Sequence, residues 1–231
     1  MVEIRRADGR GRTDWEWLDS RHSFSFGEYY DPSNMGFRTL RVINDDRVRG
    51  GAGFGAHPHR DMEILSYVLD GALEHRDSMG NGSVIRPGEI QHMRAGSGVV
   101  HSEYNPSPSE ATHFLQIWIV PGERGLPPAY GQHRFDREQA LRNFVLLASR
   151  DGRDGSIALL QDVDLWVTRL DGGSARTYDL RPGRAAWVHV ARGSLVVNGR
   201  LMSEGDGAAI TSEMVTLTNG DGAEVLLFDL A

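Results

Sequence analysis

Ala56-His57-Pro58-His59-Arg60-Asp61-Met62-Glu63 and, further along, Gly98-Val99-Val100-His101-Ser102-Glu103-Tyr104-Asn105 are the two stretches on which the reading of this chain turns. In an extended strand, side chains two apart point to the same face. His57 and His59 therefore project together, and so do His101 and Glu103. Two such pairs brought face to face supply three imidazoles and one carboxylate to a single point. That donor set suits a divalent first-row metal with positions left open for a substrate.

The rest of the composition narrows the class. The chain has 231 residues, 39% hydrophobic and 25% charged, which suits one large or two small globular domains with a sizeable core. Asp and Glu total 32 against 25 Lys and Arg, a net charge of −7. No Lys/Arg-rich run occurs, so the electrostatic footprint of nucleic-acid binding is missing. With no cysteine, disulfides, thiolate ligands and a Cys nucleophile are excluded. Met1-Val2-Glu3-Ile4-Arg5-Arg6 lacks the apolar run of a signal peptide, and no apolar stretch approaches the ~20 residues of a membrane helix. A cytoplasmic protein is expected.

Outward from the two stretches, short strands and tight turns dominate. The 28 glycines recur in turn dipeptides. Phe37 to Ile43 reads as a strand ended by the turn-forming Asn44-Asp45-Asp46. Ile64 to Leu69 runs into a hairpin at Asp70-Gly71, Ala72 to Arg76 returns, and Asp77 to Gly82 is a second hairpin. Thr112 to Val120 is a long apolar strand. Phe24 and Phe26 read as core, and His22, His113, His133 and His189 as hydrogen-bonded structural histidines. His75 and His92 are candidates to lie near the site. The pattern is that of a small β-barrel or jelly roll. Pro121 to Pro128 reads as linker, and Asp136 to Arg142 as a short helix.

The β pattern then resumes with an internal echo. Val68-Leu69-Asp70-Gly71-Ala72-Leu73 resembles Val190-Ala191-Arg192-Gly193-Ser194-Leu195, and Pro87-Gly88-Glu89 is echoed by Glu204-Gly205-Asp206. The chain is thus expected to be all-β, with two tandem barrels: residues 1–125, a linker at 126–142 with a short helical segment, and residues 143–231. Carried across the repeat, His57 and His59 fall on Asp179 and Arg181, and His101 and Glu103 on Thr218 and Gly220. A second barrel without metal is expected.

Gly51-x5-His57-x-His59-x3-Glu63 resembles the first motif of the cupin superfamily, and Gly98-x2-His101-x3-Asn105 the end of its second. His57 to Glu63, Glu74 to Asn81 and His101-Ser102-Glu103 together resemble the pirin family, most closely its bacterial quercetinase-type members. The likeness extends to Tyr29-Tyr30-Asp31-Pro32, Met35-Gly36-Phe37 and Leu226 to Leu230. It implies two cupin jelly-roll barrels with metal in the N-terminal one, held by His57, His59, His101 and Glu103. It further implies a quercetin 2,3-dioxygenase-type activity with a phenolic substrate and O2. From the composition, a monomer that contacts neither nucleic acid nor membrane is expected. Fe(II) is the first expectation for the ion, with Ni, Mn, Cu, Zn and Co as alternatives. Glu103 doubles as the base for the substrate hydroxyl. The alternative, drawn from the family's mammalian members, is a metal- or redox-sensing regulator that acts through a protein partner. Glu63, which the general cupin motif makes a ligand, is assigned instead to orienting a histidine or pairing with an arginine.

Overall fold

The computed structural model describes residues 1–211 and 214–231. The chain is all-β, with one short α-helix among the described residues. It divides into two compact units: residues 11–135 with 159–161, and residues 1–10, 136–158 and 162–231.

The first unit is built from two antiparallel sheets. One has seven strands, in the order Ala129–Arg134, Glu89–Arg94, Glu63–Asp70, Thr112–Ile119, Leu40–Val48, Leu18–His22 and Gly11–Trp15. The other has four: Gly53–His59, Val99–Tyr104, Leu73–Asp77 and Gly82–Ile85. Thr112–Ile119 has a neighbour on either side, and its side chains are buried on both faces, which accounts for its continuous apolar run. The hairpin at Asp70-Gly71 forms as its sequence demands, with Gly71 at φ 72°. Leu18, Val48, Val68, Leu73, Ile85 and Phe114 make one apolar cluster inside the barrel. Ile64, Met93, Ala95 and Val99 make another.

Asn44-Asp45-Asp46, expected as a turn, lies instead within the strand Leu40–Val48 and is buried. Partners on neighbouring strands make this tolerable. Asn44 accepts from His22, Asp45 accepts from His113, and Asp46 bonds to Ser20. Phe24 is buried as expected. Phe26 sits outside any long strand and packs edge-on against Trp118. Part of the expected linker is a strand, since Ala129–Arg134 pairs with Glu89–Arg94.

The second unit is one sheet, in the order Val2–Arg5, Gly207–Thr211, Ala185–Val197, Val215–Leu230, Val163–Tyr178, Val145–Ser149 and Ile157–Ala158, with Arg200–Ser203 paired to Ala185–Val197. Its long strands bend at bulges, as at Leu170/Gly172 opposite Gly220. Val188, Val190, Leu195, Ile210, Leu217 and Val225 lie in its apolar core. The short helix is a single turn, Arg137–Ala140, capped by Asp136, whose side chain accepts from the N–H groups of Glu138 and Gln139. Residues 1–10, grouped by sequence with the first barrel, contribute the strand Val2–Arg5 to this unit's sheet, where it pairs with Gly207–Thr211.

Candidate metal centre

The strands Gly53–His59 and Val99–Tyr104 run antiparallel with His57 opposite His101 and His59 opposite Val99. Directly paired residues on one face bring their side chains together. The register then shifts between His101 and Glu103, which sets Glu103 opposite Phe54. On the other flank, Leu73–Asp77 places Asp77 opposite His101 and His75 opposite Glu103.

Three of the four residues singled out in the sequence meet directly. Ring nitrogens of His57, His59 and His101 lie within 4.8 Å of one another. Glu103 belongs to a second group, with His75 and His101. His101 is common to both, so the carboxylate borders the imidazole triad.

The protons of this cluster follow from its hydrogen bonds. His57 Nδ1 lies 2.7 Å from the carbonyl oxygen of Gly55, which only accepts, so Nδ1 carries the proton and Nε2 a lone pair. His75 Nε2 lies 3.1 Å from an Asp77 carboxylate oxygen and donates to it. The Nδ1 of neutral His75 is then an acceptor, and His101 Nδ1 donates to it across 3.4 Å. The Nε2 atoms of His57 and His101 therefore face each other as two lone pairs, 3.0 Å apart. Two nitrogens each about 2.1 Å from one ion stand roughly 3.0–3.4 Å apart for angles between a right angle and the tetrahedral one. The pair thus fits a shared divalent cation. Burial, reinforced by His57, holds His59 down to about 4. Burial and the neighbouring imidazoles of His57, His59 and His75 hold His101 down to about 2. The His59 and His101 rings stay neutral at physiological pH, the form that ligates.

Glu103 is buried, and both of its oxygens are engaged. Oε1 accepts from the Ser66 hydroxyl at 3.0 Å and Oε2 from the Gln116 amide at 2.6 Å. Burial raises its carboxyl to about 7, opposed by those two hydrogen bonds. Glu63 is in neither ligand group among the described residues. It is fully buried and pairs with Nε2 of His92, which answers where His92 sits.

His57, His59 and Glu103 open onto a cavity of about 720 Å³. Its apolar lining includes Phe26, Phe54 and Trp118, and Trp118 packs edge-on against His59 at 5.0 Å. Its polar lining includes Thr13, His22 and Asn44. Sequence reasoning passed over these: His22 reads as structural and Asn44 as a turn residue. The available signal was parity, since His22 and Asn44 each lie on the inward face of their strands.

The chain resembles several known proteins. Residues 3–119 match the Pirin family, and residues 146–230 match the family described as the quercetinase C-terminal cupin domain. The chain is 48% identical over 231 residues to the quercetin 2,3-dioxygenase of Escherichia coli strain K12, covering 100% of this chain and 99% of that one. It is 40% identical over 233 residues to a pirin-like protein of Caulobacter vibrioides, with both chains covered in full. A crystal structure of the bacterial pirin YhhW of Escherichia coli in complex with nickel(II) superposes with a TM-score of 0.95 at 46% identity, covering 100% of this chain and 99% of that one. With more than half of its length matching the Pirin family and 48% identity across its whole length to one of the relatives above, this chain belongs to the pirin family.

Proposed function

We propose that the chain is a metal-dependent dioxygenase that opens the ring of flavonols such as quercetin, inserting both atoms of O2 and releasing carbon monoxide. The observation that carries this reading is the pair of facing Nε2 lone pairs of His57 and His101, 3.0 Å apart, with His57, His59 and Glu103 lining a cavity that has aromatic walls. The relatives named quercetin 2,3-dioxygenase support it. The ligand set is His57, His59, His101 and Glu103, and the ion is Fe(II), with Ni, Mn, Cu, Zn and Co as alternatives. When bound, such an ion supplies Lewis acidity toward the substrate's enolic oxygens.

The chain's own residues do the rest. Glu103, held by Ser66 and Gln116, takes the proton of the 3-hydroxyl group and leaves the electron-rich enolate that reacts with O2. Phe26, Phe54 and Trp118 cover the flat ring system and exclude water. A cavity of about 720 Å³ is within the usual range for a drug-sized aromatic ligand. The test is aerobic turnover of quercetin by metal-loaded protein, read as loss of flavonol absorbance together with CO release. Failure with every metal and every flavonol sinks the reading.

A further inference from the structure

Three strands that carry none of the proposed ligands, Gly11–Trp15, Leu18–His22 and Leu40–Val48, contribute Thr13, His22 and Asn44 to the cavity lining. These three form one directed chain. Asn44 Oδ1 stands 2.7 Å from His22 Nδ1, and an amide oxygen only accepts, so Nδ1 holds the imidazole's proton. His22 Nε2 is then an acceptor, and the Thr13 hydroxyl donates to it at 2.9 Å. With Oδ1 committed to His22, the amide nitrogen of Asn44 is turned the other way.

Asn44 is 3% exposed, and Nδ2 has no hydrogen-bond partner in the protein among the described residues. Nor is Nδ2 sealed dry inside the packing, unlike Oδ1 of Asp46. A buried amide with two unused N–H donors costs free energy unless something accepts from it. The space it faces is the cavity it lines. We infer that Asn44 is a specificity-determining residue, whose Nδ2 donates to an oxygen of the bound aromatic ligand other than the 3-hydroxyl group, and that Thr13 and His22 are positioning residues that hold it so. This rests on the dioxygenase reading for the identity of the ligand, but not for the existence of the donor.

Two metal-loaded variants test it, Asn44→Ala and the isosteric Thr13→Val, against quercetin and against 3-hydroxyflavone, which lacks the further hydroxyls. For Asn44→Ala, the ratio of kcat/KM for quercetin to that for 3-hydroxyflavone should fall about three- to tenfold, as loss of one net hydrogen bond requires, and KM should carry the change. Thr13→Val should move the ratio the same way by less. An unmoved ratio in Asn44→Ala, or a loss carried by kcat equally on both substrates, overturns the assignment. Binding is read alongside, as Kd from ligand titration. If wild-type protein binds quercetin without releasing CO, the dioxygenase reading falls while the Kd ratio still decides Asn44. If it binds neither flavonol, both fall.

Discussion

Nε2 of His57 and Nε2 of His101 stand 3.0 Å apart with neither carrying a proton. Each is aimed by the hydrogen bond its other nitrogen makes: His57 to the Gly55 carbonyl, His101 to His75 and through it to Asp77. Two converging lone pairs repel in the absence of a cation, so the fold of this barrel pre-forms a site that a positive charge stabilises.

Removing that charge should loosen the site and leave the fold. The apolar clusters of both units contain none of the proposed ligands. Chelated protein should therefore keep its far-UV circular dichroism, with a modest fall in Tm set by mass action on the bound state. Global unfolding on chelation, as in a zinc finger, would contradict this.

Asp77→Asn tests the relay behind His101. Asp77 also accepts from the backbone N–H groups of Met79 and Asn81, so an amide there weakens the turn as well as the histidine's orientation. Metal affinity, measured by chelator competition, should fall about ten- to a hundredfold. Unchanged affinity would show that His75 is oriented without Asp77.

The two acidic candidates separate by metal content. Glu103→Gln should abolish quercetin turnover and sharply weaken metal binding. Glu63, paired with His92 and in neither ligand group, should give a loaded protein as Glu63→Gln, with a loss of at most about a hundredfold. A metal-free Glu63→Gln beside a loaded Glu103→Gln reverses the assignment.

The pH dependence of the metal-free protein should be shallow for a specific reason. His59 and His101 are held at about 4 and about 2 against an ordinary 6.5, with His75 also lowered. As pH falls below 6.5 the unfolded chain takes up protons that these folded rings refuse, and stability is lost. Glu103 and Asp46 are both raised to about 7 by burial, so over the same window the folded state holds protons that the unfolded chain has released, and stability is gained. The slopes oppose each other between about pH 5 and 6.5. Asp46→Asn removes one of the compensating carboxyls, and its Tm should fall visibly as pH drops through that window. Parallel profiles for the variant and the wild type would refute the compensation.

What was legible in the sequence was whatever obeys strand periodicity. His-x-His and His-x-Glu declare shared faces, and Asp70-Gly71 declares a hairpin, without knowledge of any other strand. Asn44-Asp45-Asp46 misleads because three turn-type residues in a row are tolerable in a strand only when His22, His113 and Ser20 come to meet them. Their partners are set by tertiary register, which local propensity does not encode. Ala129–Arg134 was missed for a related reason. Its Ala-Tyr-Gly-Gln-His-Arg has little β signal alone and becomes a strand by pairing with Glu89–Arg94.

The strand Val2–Arg5 pairs with Gly207–Thr211, so the sheet of the second unit closes a sequence separation of roughly 200 residues. During synthesis Val2–Arg5 must wait for a partner roughly 200 residues behind it, about 10–40 s at ordinary elongation rates. Residues 11–135 can close their own hydrogen-bond ladders in that interval, while Val2–Arg5 trails as an unpaired edge. The topology thus lets residues 11–135 pair before the second unit's sheet can take up Val2–Arg5.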